Sequence, residues 1–193
     1  LGNHNYDSLQ LMMYGTAPMP PHGVRKLGDH FRNTMLVNLY GLTEGGATTC
    51  SLSAAEVKER PDSVGKPTMG AELRIVKDDG ETASPDEVGE IWMWAESRRR
   101  YFNNEEATKE TWTGDGWLKT GDLGYVDTDG YLYLAGRKKD MIIRGGFNIY
   151  PIEIESVLHD HPDVKEVAVV GIPHGVLGED IKAFVVPGGE NML

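Results

Sequence analysis

The apolar residues of this chain fall into short runs, and the type of secondary structure that these runs predict changes twice along the sequence. In the first part, strand-like runs at residues 9–13 and 36–40 flank a segment, 24–31, whose apolar residues have helical spacing. Two prolines stand before that segment, and proline is tolerated in the first turn of a helix. Strand, helix and strand in succession predict an α/β layer over residues 1–63.

From about Val64 the runs become β-type, and turn signals separate them. Residues 71–76, 88–95 and 131–135 are rich in apolar and β-forming side chains, with Asp-Gly turns between them. This spacing predicts a small antiparallel sheet or barrel over residues 64–138.

Helix signals and two further strands follow. Asn103 and Asn104 stand before a pair of glutamates, which predicts a capped helix start. Pro151 precedes apolar residues at helical spacing and predicts another helix. Residues 164–170 and 181–186 are apolar and β-branched, so the last part predicts a strand–helix–strand pattern.

The expected fold class is therefore α/β plus β plus α+β. Residues 1–138 would be part of a large domain, with an α/β layer and a small antiparallel β-barrel, and residues 139–193 an incomplete small α+β domain. The chain begins without a methionine and ends after an apolar run with no closing element. We therefore expect a fragment that is cut at both ends.

Charge and composition narrow the function classes. The net charge of −11 argues against nucleic-acid binding, which needs a basic surface. An anionic ligand is not excluded, because a local cation cluster or Mg²⁺ can reverse the sign inside one cleft. No apolar run approaches the roughly 18 residues of a transmembrane helix. The single cysteine, Cys50, suits a reducing compartment, so we expect a cytoplasmic protein with no transmembrane segment and no nucleic-acid partner.

Four segments, each expected to be a loop, carry isolated polar groups. In Gly15-Thr16-Ala17-Pro18 the glycine would let a flat ring approach the backbone. Tyr40-Gly41-Leu42-Thr43-Glu44 places an aromatic plane, a hydroxyl and a carboxylate at one strand end, which suits base stacking and a hard cation. Thr120-Gly121-Asp122 and Gly136-Arg137 offer a carboxylate for a ribose diol and a charged donor for phosphate or ribose oxygens.

Taken one at a time, these residues have simpler explanations. Asp122 alone fits a turn or helix-cap carboxylate, and Glu44 fits a solvated loop charge. Arg137 alone fits a surface ion pair. The run Arg98-Arg99-Arg100 could meet the phosphates of a nucleotide thiol such as CoA, although a solvated face is the commoner role of such a run.

The order of the segments is more specific than any one of them. Tyr40-Gly41-Leu42-Thr43-Glu44 is followed by GWLKTGD at residues 116–122 and by GRKKDMIIRGGFNIYP at residues 136–151. Together they resemble the signature of the acyl- and aryl-CoA synthetase, luciferase and peptide-synthetase adenylation superfamily. The resemblance covers nearly the whole chain and implies an internal-to-C-terminal fragment from the CoA-ligase branch, with an AMP-binding part over residues 1–138 and a lid domain over residues 139–193.

The resemblance implies a two-step ligase reaction. A carboxylate would attack the α-phosphorus of MgATP to give an acyl-adenylate and pyrophosphate, and a thiol would then displace AMP. The residues implied for the adenine are Gly15, Thr16, Ala17, Pro18 and Tyr40, and Gly41 beside them is also implied to bind the cofactor. Thr43 would contact the α-phosphate and Glu44 would bind Mg²⁺. Asp122 and Arg137 would hold the ribose.

Two further positions follow from the resemblance. Lys139 matches the family's hinge, about which the small domain rotates between the two half-reactions. Gly146 matches a loop beside the tunnel that admits the thiol of CoA. The implied ligands are ATP or AMP, Mg²⁺, CoA and a carboxylic acid, fatty or aryl.

Parts of the family pattern are not matched. The phosphate loop would precede residue 1 and the adenylation lysine would follow Leu193, while Lys182 lacks the expected sequence context. We therefore expect this chain alone to be inactive, and its exposed sheet edges to favour self-association. Two alternatives stay open: an adenylation domain that loads a carrier protein, and a non-catalytic nucleotide-binding module.

Overall fold

The computed structural model describes residues 4–17, 19–94 and 98–188. These residues divide into two compact units. The first unit contains the described residues up to Thr120 together with Gly124–Leu134, and the second contains Gly121–Leu123 with the described residues from Ala135 onward. The domain boundary at residues 138 and 139, with its hinge at Lys139, stays a prediction.

The first unit is built on a long mixed sheet. Its elements, of which the last two extend into the second unit, are β1 (Leu11–Gly15), α1 (Pro21–His30), β2 (Met35–Leu42), β3 (Ala47–Leu52), β4 (Ser63–Pro67), β5 (Glu72–Val76), β6 (Gly89–Trp94), α2 (Glu105–Thr111), β7 (Trp117–Val126) and β8 (Leu132–Arg137). The strand order is β1-β2-β3-β4-β8-β7-β6-β5. The sequence allowed a sheet or a barrel, and the described strands form a sheet with edge strands β1 and β5.

The α/β layer forms as the sequence predicts. β1 and β2 pair in parallel, with Gly15 opposite Leu39. α1 begins with a proline, and its Val24 packs with Leu36 of β2 and Leu52 of β3 in one buried cluster. Burying an aliphatic side chain of this size contributes roughly 1.5–3 kcal/mol. This cluster therefore fixes α1 against the parallel pair.

A second buried cluster lies under the antiparallel strands. β5 and β6 pair antiparallel, and burial alternates along β6, where Ile91 and Met93 are fully buried. They pack with Cys50 of β3, Leu118 of β7 and Leu132 of β8. The period of two is that of a strand with one face in the core.

Parts of the first unit differ from the sequence prediction. The sequence does not predict β3, whose residues ATTCSL are mostly small or polar and do not alternate. Gly41 and Leu42, predicted to lie in a loop, extend β2 and pair with β3. Thr120-Gly121-Asp122, also predicted to be a loop, lies inside β7, where Gly121 has a φ of 71°. β7 lies between β8 and β6 in the sheet, and the strand continues through this segment.

The second unit has a smaller sheet. Its elements are a single 3₁₀ turn (Lys138–Asp140), β9 (Ile142–Arg144), β10 (Phe147–Ile149), α3 (Pro151–His159), β11 (Val164–His174) and β12 (Gly178–Pro187). The strand order is β10-β9-β12-β11, and β11 and β12 pair antiparallel. The predicted helix and the two predicted strands are therefore present, and the short hairpin of β9 and β10 is added to them.

Two predicted helix starts are confirmed. The Oδ1 of Asn104 accepts a hydrogen bond from the Ala107 amide at 3.0 Å and caps α2. α3 begins at Pro151, and its Glu155 accepts a hydrogen bond from the Val169 amide of β11 at 2.8 Å. No helix among the described residues is long and apolar enough to cross a membrane.

Candidate functional site

The end of β1 is shaped by a close backbone contact. A Cβ placed on Gly15 would lie 2.1 Å from the carbonyl oxygen of Leu39, so only glycine fits there without moving β2. Thr16 follows with a φ of 66°, which is uncommon for a residue other than glycine. Thr16 and Ala17 are exposed, and Pro18 lies outside the described residues. The strand therefore ends in a tight, accessible turn of backbone.

Tyr40 and Gly41 lie at the matching end of β2. The pairing of β2 with β3 is irregular between these two residues, and Tyr40 packs against the buried cluster around Cys50. Because the carboxyl ends of parallel strands meet at one edge of a sheet, the segments after β1 and β2 share that edge. Within the first unit, the structure thus brings together the described residues that the family resemblance implies for the nucleotide at Gly15–Ala17 and Tyr40–Gly41.

The turn after β2 carries the predicted metal ligand. Amide hydrogen bonds of 3.2 Å from Gly45 to Leu42 and 3.1 Å from Gly46 to Thr43 close the turn. Thr43 is exposed, and the half-buried Glu44 lies at the middle of the turn. A carboxylate on a rigid turn offers a hard oxygen ligand at a fixed place.

Two residues that the sequence did not single out for this role hold the turn from a distant segment. The Tyr101 hydroxyl donates a hydrogen bond of 2.5 Å to Oε1 of Glu44, and this carboxylate raises the pKa of Tyr101. Arg99 Nη2 donates to the carbonyl of Gly46 at 3.0 Å. Nothing in local spacing predicts these contacts, because 57 residues separate Glu44 from Tyr101.

Asp122 and Arg137 meet in the second unit. Arg137 Nε lies 3.1 Å from Oδ1 of Asp122; the carboxylate is buried, whereas the guanidinium side chain is 56% exposed. One residue lies inside β7 and the other ends β8, so neighbouring strands bring the pair together. A buried acceptor beside an accessible donor can bind a ligand that presents both hydroxyl and acceptor oxygens.

The remaining predicted positions lie further along the second unit. Lys139 is exposed in the 3₁₀ turn after β8. Gly145 and Gly146 form the two-residue connection between β9 and β10, with φ values of 58° and 87°. Both angles are left-handed, as in the type I′ turn of a tight hairpin. The turn is tied to the other hairpin by a hydrogen bond of 2.9 Å from the Gly145 amide to the Leu177 carbonyl.

A preformed protein cage for a metal ion is not present in the part of the chain that the structure describes, where no group of three or more His, Cys, Asp or Glu side chains gathers. A site with one carboxylate, such as that of Glu44, would suit a cation whose shell is completed by water and substrate phosphates. Mg²⁺ behaves in this way.

Two family models match the chain. The AMP-binding enzyme family matches residues 2–97, and the AMP-binding enzyme C-terminal domain matches residues 153–193. The chain belongs to this family of AMP-binding, adenylate-forming enzymes.

Curated relatives are similar over almost all of the chain. The 2-succinylbenzoate–CoA ligase of Bacillus cereus is 42% identical over 192 residues, which are 98% of this chain and 39% of the relative. The sulfoacetate–CoA ligase of Cupriavidus necator is 41% identical over 172 residues, 89% of this chain and 33% of the relative. The chain thus spans well under half the length of these ligases.

Solved structures of CoA ligases and of a related synthetase are similar to this chain in fold and sequence. The o-succinylbenzoate CoA synthetase of Bacillus subtilis, in complex with its acyl-adenylate intermediate, has a TM-score of 0.87 at 35% identity and covers 99% of this chain and 39% of its own. The same synthetase with ATP and magnesium has a TM-score of 0.84 at 36% identity, covering 97% and 38%. The amide bond synthetase McbA of Marinactinospora thermotolerans has a TM-score of 0.89 at 34% identity, covering 98% and 38%. The predicted fold class is confirmed.

Proposed function

We propose that this chain is part of an ATP-dependent, AMP-forming carboxylate–CoA ligase. The observation that carries the proposal is the pairing of Asp122 with Arg137, because a carboxylate and a guanidinium at this distance suit a nucleoside ribose. Both residues come from the motifs that predicted an adenylating enzyme. Their contact was not part of that prediction.

The chemistry divides into two displacements. In the first, a carboxylate oxygen of the acid bonds to the α-phosphorus of ATP while the bond to the β-phosphate bridging oxygen breaks, which releases pyrophosphate. In the second, a thiolate sulfur bonds to the acyl carbon while the bond to the AMP oxygen breaks. Both steps depend mainly on positioning and on neutralising phosphate charge.

The described residues take roles that match these needs. The backbone turn at Gly15 and the ring of Tyr40 would hold the adenine, and Thr43 would contact the α-phosphate. Asp122 and Arg137 would hold the ribose. Glu44 would bind Mg²⁺, which supplies charge neutralisation when it is bound.

The substrate acid is proposed to be an aryl or other small carboxylic acid. The relatives named above act on 2-succinylbenzoate and sulfoacetate, and none of these names refers to a fatty acid. The fatty-acid part of the sequence-based expectation therefore has no support among them.

A second candidate for the group that attacks the acyl carbon in the second step is an amine. The likeness to an amide bond synthetase favours an amine as an alternative to the thiol of CoA. Both acceptors attack the same acyl carbon and release AMP. They differ only in the product, which is a thioester or an amide.

The experiment uses the full-length protein that carries this chain. We expect AMP release that requires an acid from a panel of aryl, small sulfonated and fatty acids, with thioester or amide identified by mass spectrometry. Asp122→Ala should raise the KM for ATP about 10- to 100-fold, since losing a hydrogen-bonded charge costs about 1.5–3 kcal/mol.

The matched control is Asp7→Ala, which removes an exposed aspartate of the first unit and should behave as the wild type. A wild type that releases no AMP with any acid would contradict the proposal. An Asp122→Ala variant with an unchanged KM for ATP would contradict the ribose role alone.

Three expectations from the sequence stay predictions. The isolated chain is expected to be inactive, and carboxylate-dependent pyrophosphate release from it would overturn that. Self-association is supported by the exposed apolar side chains Phe184, Val185 and Val186 on β12. A cytoplasmic location is supported by the single cysteine, Cys50, which is fully buried as a free thiol.

A further inference from the structure

A basic groove lies in the first unit. Its volume is about 530 Å³, and four cationic side chains line it: Arg98, Arg99, Arg100 and Lys109. Trp112 forms part of its wall, and Glu105 is the carboxylate among its lining residues. The groove therefore has a local excess of three positive charges in a chain whose net charge is −11, and such an excess attracts anions.

Two arginines of the groove, Arg98 and Arg99, contact other segments of the first unit. Trp112 Nε1 donates a hydrogen bond of 3.0 Å to the backbone carbonyl of Arg99, whose own guanidinium binds the Gly46 carbonyl. Arg98 lies against Gly116, where a Cβ would be 1.8 Å from its Nη2. A solvated face does not need such support. Fixed guanidinium groups lose less entropy when they bind an anion.

The groove also contains a carboxylate, that of Glu105, which a bound anion could replace as the partner of Arg100. Arg100 Nη2 lies 3.2 Å from both carboxylate oxygens of Glu105, and both side chains are more than two-thirds exposed. An ion pair this exposed contributes little to stability, because water screens both charges. A phosphate with two negative charges would compete with this carboxylate for the guanidinium.

We infer that this groove binds the phosphate groups of a multiply charged ligand. The inference rests on the proposed ligase function, which supplies two ligands of this chemistry: the pyrophosphate released in the first step and the phosphates of CoA in the second. A guanidinium group can donate two parallel hydrogen bonds to two oxygens of one phosphate, and Lys109 adds a further positive charge. Arg99 connects the groove to the turn that carries Glu44.

Calorimetric titration of the full-length protein tests this directly. Inorganic pyrophosphate, CoA and pantetheine are titrated separately into the wild type and into Arg98→Gln/Arg100→Gln. We expect the double variant to lose at least tenfold in affinity for pyrophosphate or for CoA, because it removes two charged hydrogen-bond donors for phosphate. Pantetheine, which lacks phosphate, should bind both proteins equally.

A variant that removes a negative charge from the groove distinguishes loss of charge from disruption of the structure. Glu105→Gln removes the competing carboxylate and should tighten binding of the same anion by about two- to fivefold, as expected for one exposed charge. Disruption of the groove would weaken binding in both variants. Arg25→Gln/Arg32→Gln removes two exposed arginines elsewhere in the unit and should bind as the wild type.

Each outcome has a separate meaning. Loss of pyrophosphate binding alone assigns the groove to the first step, and loss of CoA binding alone assigns it to the second. Unchanged affinity for both ligands in Arg98→Gln/Arg100→Gln would overturn the inference, even if the wild type makes thioester. Absence of acid-dependent AMP release by the wild type would overturn the proposed function, while the pyrophosphate titration would still decide the groove.

Discussion

The carboxylate of Glu44 accepts a hydrogen bond from the hydroxyl of Tyr101, and this bond restricts the orientation of the carboxylate. A metal ligand that is held in one orientation binds with a smaller loss of rotamer freedom. Tyr101 is therefore a positioning residue for the proposed Mg²⁺ site. The hydrogen bond consumes one lone pair of Oε1 and leaves the remaining acceptor capacity of the carboxylate for a cation.

Tyr101→Phe removes that hydroxyl and keeps the ring. In the full-length protein we expect the Mg²⁺ concentration for half-maximal adenylation to rise about 3- to 10-fold, from the loss of one hydrogen bond to a charged group. The measurement is the rate of AMP release against Mg²⁺ at saturating ATP. Tyr125→Phe removes the hydroxyl of a tyrosine that stacks on Tyr133 and has no role in the proposed site, so it should keep the wild-type Mg²⁺ curve. An identical curve for Tyr101→Phe would remove its positioning role.

At the scale of elements, α3 is attached to its sheet by a side chain. Glu155 accepts the amide of Val169 at 2.8 Å, and Val169 is the buried residue of β11. A part-buried amide that loses a charged acceptor pays its full desolvation cost, about 1–3 kcal/mol. This bond joins a helix to a strand 14 residues away.

Glu155→Ala should therefore destabilise the second unit by about 1–3 kcal/mol, with Glu155→Gln intermediate because its amide oxygen can still accept. Hydrogen exchange at the Val169 amide is the direct measure, and it should accelerate most in Glu155→Ala. Glu153→Ala removes an exposed glutamate from the same helix. Equal exchange in the Glu153 and Glu155 variants would show that the bond contributes nothing.

Local signals predicted the elements whose causes are local. Asn104 caps α2 and Pro151 starts α3 because a cap and a first-turn proline act within one turn of chain. β3 and the strand around Asp122 escaped prediction because neighbouring strands, not their own composition, make them extended. The same holds for the site: motif order predicted Glu44, Asp122 and Arg137, while the contact of Tyr101 with Glu44 depends on chain segments that meet only after folding.

At the scale of the whole first unit, a charged cluster links two segments that are distant in the sequence, residues 53–60 and 127–131. Arg60 pairs with Asp127 at 2.5 Å and with Asp129, and its guanidinium lies 4.0 Å from the ring of Tyr131. The Tyr131 hydroxyl in turn donates to Glu56 at 2.5 Å. Hydrogen bonds from Ser53 and then from Tyr131 lower the pKa of Glu56.

This cluster predicts a loss of stability in acid. Because the pKa of Glu56 is lower in the folded chain than in the unfolded chain, its contribution is present above the unfolded value of about 4.3. It is lost as the pH falls through the lower folded pKa. Urea unfolding at pH 7 and pH 3 should show a smaller free energy of unfolding at pH 3.

Glu56→Gln should flatten that dependence and leave less difference between the two pH values. Its matched control is Glu59→Gln, an exposed glutamate in the same segment, which should retain the wild-type slope. If both variants lost stability in acid as steeply as the wild type, the cluster would not be its source.

The contact between Gly15 and the Leu39 carbonyl has a consequence for how variation at this position is understood. Any side chain there would first disturb the pairing of two parallel strands, before a ligand is involved. A library of substitutions at position 15, screened only for folded protein, should therefore already return glycine almost alone. The pairing of β1 with β2 therefore requires glycine at this position. The open backbone edge that a nucleotide would contact forms when the chain folds, before any nucleotide binds.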